Sequence, residues 1–533
     1  MNPAGLTYRR KFGARSFEPN NHRHRAGHDR SRSSLGGPAV TSLAIFEKAN
    51  LSALKDPRLF REFAYVGGAW TQGSSEQTIN VTNPADGSRV GTVPALNKVD
   101  TQAAIEMAQE AFADWSNESP GTRSKLLRHW HDQIVAARDD LARLMVQEQG
   151  KPLSEALGEI DYAASFVEFY AEEAKRLNVE SVTSHLAGAD MRITRQPLGV
   201  AALVTPWNFP SAMLTRKAAA AIAAGCTIVA HPSSETPFSA LALAELAERA
   251  GFPPGVFNVV TGHAPQIGEV LTASPIVRIV SFTGSTEVGR LLYGQSAPTI
   301  KRLVMELGGH APFIAFADCD LERTVEHAIA AKFATSGQDC LAANRLYIER
   351  PIYDRFVEAF ADKVRAMRIG PGLSDPDIGP LINGRAIEKQ IEHVTDAMAR
   401  GARLIAGGKV HQAGPLYFEP SVLADVPEDA AIFRQETFGP IAAFAPFDDE
   451  TEVLAKANST ETALVAYLHT ADAGRIERMT RQLDFGMVAV NRTKITGAPV
   501  PFGGFKQAGI GREGSRHGIE AYTDLKYVCR SNS

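Results

Sequence analysis

A chain of 533 residues with 44% hydrophobic and 22% charged residues has an ordinary globular composition and is too long for one simple core, so two or three domains are expected. The formal net charge of -4 gives no reason to expect nucleic acid or an anionic membrane as a partner, and no apolar run is long enough to span a bilayer. Four cysteines, Cys226, Cys319, Cys340 and Cys529, are scattered without a C-x-x-C pair, which argues against a disulfide framework or a metal site and fits a reducing, cytoplasmic compartment.

Residues 1–42 are rich in Arg, His, Gly and Ser and lack apolar periodicity, so a disordered basic tail is expected. A transit peptide would share the arginines, but Gly, Pro and Asn interrupt any amphipathic helix. From Asp100 to Gly150, apolar residues recur at spacings of three and four, broken by SPGT, and predict helices. From Gly199 the texture changes. GVAALVTPWN, CTIVAHP, VFNVVTG and VRIVSFTGS read as strands, alternating with helices at MLTRKAAAAIAAG, SALALAELAERAG, APQIGEVLTA and TEVGRLLYGQSA. Such alternation predicts an α/β fold with a parallel sheet, whose ligands bind beyond the carboxyl ends of the strands. Pro206–Pro210, His231–Glu235 and Thr283–Ser285 fall at those ends.

A second α/β unit is expected to begin near residue 309. It opens with a helical segment over 321–336 that leads into TSGQDC, then a strand and a helix from Arg345. The chain closes on a glycine-rich passage and an alternating apolar stretch that reads as an edge strand, a place for pairing between copies.

Five features could carry chemistry, and each alone reads more readily as plain structure, with Glu306 about level. Cys340 is a nucleophile or a small residue in a turn. Gly284 to Gly289 opens a helix after a strand, where free N–H groups and the helix dipole favour phosphate, although it is neither a G-x-G-x-x-G fingerprint nor a Walker loop. Asn208, between two prolines, is an amide donor for an oxyanion or a turn residue. Glu306 ends an apolar strand before two glycines, and a carboxylate there should have a raised pKa suited to a general base. Glu436, followed by Phe438, could accept from ribose hydroxyls while the ring packs on a flat cofactor.

Together these parts resemble the aldehyde dehydrogenase superfamily from about Phe63 to Val528, through PWNFP at 206–210, SFTGS at 281–285, MELGG at 305–309, GQDC at 337–340, ETFGP at 436–440 and PFGG at 501–504. The resemblance implies a Rossmann-like parallel-sheet cofactor domain (43–176 and 197–308), an α/β catalytic domain (309–508) and a small oligomerisation β-element (177–196 and 509–533) that gives a homodimer or homotetramer. It also implies that Cys340 is the nucleophile, Glu306 the base, Asn208 the oxyanion donor and Lys217 a member of the proton relay. NAD or NADP would be held by Trp207, His231, Ser234, Gly284, Ser285, Leu307, Glu436 and Phe438.

Within the superfamily the chain is similar to the succinate-semialdehyde dehydrogenase branch, which implies a short anionic aldehyde with Arg216 on its carboxylate. The branch's second arginine is here Ala334, and losing one of two charge-assisted hydrogen bonds costs roughly 1.5–3 kcal/mol. Arg492 and Lys494 are candidate replacements, and 3-sulfolactaldehyde or glutarate semialdehyde are alternative substrates. His231 stands where the family has a lysine on the adenosine ribose, and Ser234 where strict NAD users carry glutamate, so dual cofactor use is expected. Ala342 leaves no second cysteine beside Cys340 for a redox disulfide. Retention of Glu306 argues against a CoA-acylating enzyme, and retention of both Cys340 and Glu306 against a non-catalytic relative.

Overall fold

The computed structural model describes residues 54–177 and 179–531; the basic tail expected over 1–42 lies outside them. Every strand and helix read between 199 and 296 is present. The helices Pro210–Ala224 and Pro237–Ala250 follow the strands Val200–Thr205 and Thr227–Pro232, and Ala264–Ala273 and Thr286–Ser296 follow Phe257–Val259 and Val277–Thr283. With Arg302–Glu306, the five parallel strands lie in the order 257–259, 227–232, 200–205, 277–283, 302–306. The order reverses between 200–205 and 277–283, and that switch point opens a crevice at their carboxyl ends.

Two of the helices start with proline and lack a cap of their own, so distant acids cap them. Glu159 accepts from the N–H groups of Ser211 and Ala212 (2.9 and 3.2 Å), and Glu148 from Phe238 and Ser239 (2.7 and 2.8 Å). Burial pushes Glu148 up to about 8, the cost of a carboxyl held in the core. Alanine dominates Pro210–Ala224, and all of that helix is buried, which lets it pass through the centre of the molecule.

A second sheet of seven strands runs 403–406, 421–424, 441–447, 343–349, 311–315, 465–469, 487–490, parallel except for its first strand. In the third sheet Thr523–Ser531 pairs antiparallel with Ala189–Pro197, and Glu180–Val182 flanks the other side.

Two expectations need correction. The helix read over 321–336 stops at Phe333, because Thr335, Ser336 and Gly337 all have positive φ (51°, 56° and 73°), which no right-handed helix admits. Gly509–Ile510, assigned by sequence to the oligomerisation element, instead pairs with Met305 and Glu306 on the edge of the first sheet. Gly509 permits this approach, since a Cβ there would lie 2.0 Å from the Met305 carbonyl oxygen.

Candidate active site

The crevice at the switch point continues into the second unit as a cavity of about 780 Å³, with Cys340 on its wall. The left-handed turn at Thr335–Gly337 delivers the cysteine, and three contacts hold that strained backbone. Glu155 accepts from Thr335 N–H (2.9 Å), the Ser336 hydroxyl donates to Gly379 O (3.1 Å), and Gln338 Oε1 accepts from Ile382 N–H (3.0 Å). Burial pushes the Cys340 thiol well above its usual range, and the charges of Asp339 and Glu436 push it further. The resting group is therefore a thiol.

Asn208 lies beside it. Its Nδ2 donates to Gln338 O at 3.0 Å, which leaves the second amide hydrogen for another acceptor. The loop that carries it is pinned from below by buried Lys151, whose Nζ donates to Asn208 O (2.7 Å) and pairs with Glu159 (2.6 Å).

Glu306 is buried at the end of its strand, with neither carboxyl oxygen hydrogen-bonded among the described residues, and it is not part of the cavity wall. Burial and then the charge of Glu513 raise it well above the ordinary carboxylate range. Glu513 is the hub of this buried group. It accepts from Arg216 Nε (2.6 Å), from Lys217 and from Ser281 (3.1 Å), while Lys217 also donates to Thr283 (2.7 Å). The sequence reading passed over Glu513; its only signal is a lone acid in the glycine-rich GIGREGS.

Arg216 reaches the wall, with its guanidinium 4.2 Å from the Phe502 ring centre and its buried Nη1 without a hydrogen-bond partner among the described residues. Ala334 and Lys494 also line the cavity. Arg492 does not: it is exposed, in a turn where Asn491 has φ 53° and is tied to Thr470 O (2.9 Å). Of the two candidate replacements, geometry keeps Lys494.

The other end of the cavity carries the expected cofactor residues Trp207, Gly284, Ser285, Leu307, Glu436 and Phe438. Trp207 and Phe438 meet edge to face, with centroids 5.5 Å apart. Glu436 accepts from Gly309 N–H (3.0 Å), and burial pushes it up to about 7. A Cβ at Gly308 would sit 2.9 Å from its other oxygen, so the glycine leaves the carboxyl room. Gly284 N–H is already used by Glu306 O (3.0 Å), and the Ser285 hydroxyl caps Val288 N–H (3.3 Å), so any phosphate here depends on the remaining N–H groups of the helix start.

His231 is not brought to the cavity. It is buried, its Nδ1 meets Val260 O at 3.0 Å, and burial lowers its pKa, so the ring is neutral. Ser234 is exposed with its hydroxyl 3.3 Å from Glu235, which places at this strand end a carboxylate that the sequence reading did not weigh. Arg385 and Lys389, also not anticipated, line the wall near Glu436, and Lys389 acts on its charge. Taken together, the cradle fits a dinucleotide.

A doubly wound sheet that presents a cofactor cradle to a cysteine on a second α/β unit defines an oxidoreductase of the aldehyde-oxidising class. The chain belongs to the aldehyde dehydrogenase family, whose model matches residues 70–528. It is 50% identical over 477 residues to a succinate-semialdehyde dehydrogenase [NADP(+)] of Escherichia coli and to a glutarate-semialdehyde dehydrogenase of Pseudomonas aeruginosa, covering 89% of this chain and 99% of each relative. The crystal structure of an E. coli NADP-dependent enzyme superposes with a TM-score of 0.89 at 49% identity, over 90% of this chain and 100% of that one.

Proposed function

We propose that the protein oxidises a short aldehyde with a distal carboxylate, succinate semialdehyde being the reference substrate, to the corresponding acid with NAD or NADP. The observation that carries the anionic preference is Arg216, which lines the cavity with its Nε taken by Glu513 and its buried Nη1 without a hydrogen-bond partner among the described residues. The substrate carboxylate meets the guanidinium at that Nη1. Similarity to semialdehyde dehydrogenases supports the same choice.

Cys340 gives up its proton to water in the cavity and its sulfur adds to the aldehyde carbon. The oxyanion is held by the second Asn208 amide hydrogen and the Cys340 main-chain N–H. A dinucleotide held by Trp207, Leu307, Glu436 and Phe438 would supply the hydride acceptor, and loss of the hydride would leave an acyl thioester on Cys340. Glu306, once deprotonated and turned from behind the cavity wall toward the thioester, takes a proton from water, the hydroxide adds to the thioester carbon, and the C–S bond breaks to release the acid. Lys217, between Thr283 and Glu513, offers the proton a path away from Glu306.

Comparing kcat/KM for 4-oxobutanoate with that for butanal, equal in length but uncharged, tests the anion site. The wild type is expected to favour the anion at least about tenfold, and Arg216→Gln to lose most of that preference, in keeping with one charge-assisted contact. Equal use of both aldehydes by the wild type, or NADH formation only with CoA, would overturn the proposal.

We also propose that the protein is a homodimer or homotetramer joined through the third sheet. Thr523–Ser531 is an edge strand exposed from Asp524 onward, with Leu525, Tyr527 and Val528 among its exposed residues. A monomeric mass by sedimentation at micromolar concentration would refute it.

A further inference from the structure

We infer that the preferred aldehyde carries a protonated amine as well as a carboxylate, and that Asp339, next to the nucleophile, is the residue that selects it. This rests on the anionic-semialdehyde reading above and narrows it to 2-amino-ω-oxo acids.

Four acids line the cavity: Glu155, Glu159, Asp339 and Glu436. Three of them have protein partners that persist through turnover. Glu159 pairs with Lys151 and caps a helix, both oxygens of Glu155 accept from Thr335 N–H, and Glu436 accepts from Gly309 N–H at the cofactor end. Asp339 differs. Its Oδ1 accepts from Leu341 N–H at 3.0 Å, and its Oδ2 has no hydrogen bond among the described residues. A carboxylate oxygen left this way on the wall of a filled cavity faces the substrate without a donor, and a plain methylene chain supplies none.

The surrounding charges do not cancel this acid. At the position six before the nucleophile, Ala334 brings no cation to the wall, while Arg216 is already shared with Glu513. Arg216 Nη1 and the Lys494 ammonium are the groups that take the substrate carboxylate, and they do not pair with Asp339 among the described residues. A wall with cations for a carboxylate and one acid beside the sulfur complements a zwitterion. Asp339 also has a cost for the enzyme alone, since after burial its negative charge does most to raise the neighbouring thiol, and burial raises the Asp339 carboxyl itself. An ammonium docked on it removes that penalty when substrate arrives.

The test compares kcat/KM for 2-amino-4-oxobutanoate and 4-oxobutanoate, which share chain length and carboxylate and differ by the amine. The wild type is expected to favour the amino compound by about tenfold or more, the effect of a charge-assisted hydrogen bond. Asp339→Asn keeps the acceptor for Leu341 N–H and should bring the ratio to about one. Asp339→Glu, which keeps the charge, should retain most of the preference, and a thermal melt confirms that each variant is folded. A wild-type ratio of one or below, or a ratio unchanged in folded Asp339→Asn, overturns the inference. Failure of the underlying reading looks different: neither acid would be used better than butanal.

Discussion

Replacing Cys340 with alanine is expected to lower kcat by at least about 10⁴-fold while cofactor affinity, read by fluorescence titration, changes less than about threefold. The two halves of the expectation come from different parts of the cavity. The cofactor cradle is built from Trp207, Leu307, Glu436 and Phe438, and Cys340 lies where the second unit closes over it. Alanine removes the sulfur and leaves the turn that presents it intact, because Glu155, Ser336 and Gln338 hold that turn through groups other than the thiol. Removing a nucleophile abolishes the covalent path outright, and Glu306 is out of the cavity wall and protonated, so it does not substitute. The wild-type pH profile provides an internal check. Both the thiol and Glu306 are held above their ordinary ranges, so each must lose a proton, and kcat/KM should rise toward alkaline pH. An alanine variant with wild-type turnover would remove Cys340 from the mechanism.

The residues that could be read from sequence are those whose local pattern already carries the reason for their place. Strand and helix periodicity located the parallel sheet, and the loops after 205 and 283 follow from it, so Asn208, Gly284 and Ser285 were expected at the crevice and are found there. Lys494 was anticipated as a cation near the substrate and does line the wall. What stayed hidden depends on long-range contact. Glu513 is nearly 300 residues from Arg216 and Lys217 in sequence, yet it hydrogen-bonds both (sequence separations of 297 and 296). No local rule shows that a lone acid among glycines will be the counter-ion of two buried cations. The break at Thr335 is similar. Thr is a poor left-handed residue, and the contacts with Glu155, Gly379 and Ile382 hold that conformation. His231 stands at the strand end that the sequence predicts, and its Nδ1 is held by Val260 O, outside the cavity that holds Cys340.

Glu513→Gln is expected to destabilise the protein by about 3–5 kcal/mol at neutral pH, because it leaves Arg216 and Lys217 buried without their shared countercharge. Burial pushes Glu513 up, but the charges of Lys217 and Arg216 outweigh it and hold the carboxyl below its ordinary 4.5. A carboxyl held low in the folded state stabilises above its unfolded pKa and loses that contribution as pH falls through the folded value. The stability gap between wild type and variant should therefore be full at pH 7 and close on acidification below about 4.5, measured by denaturant unfolding at each pH. Activity should fall as well, by a route that stability alone does not explain. The charge of Glu513 helps to keep Glu306 protonated at rest, so in the variant Glu306 ionises at lower pH and becomes the available partner for the two cations. A base held in an ion pair is a weaker proton acceptor, so the alkaline rise in kcat/KM should shift to lower pH while its plateau drops. A folded variant with the wild-type pH profile and the wild-type unfolding midpoint would show that Glu513 is not the hub that its contacts describe.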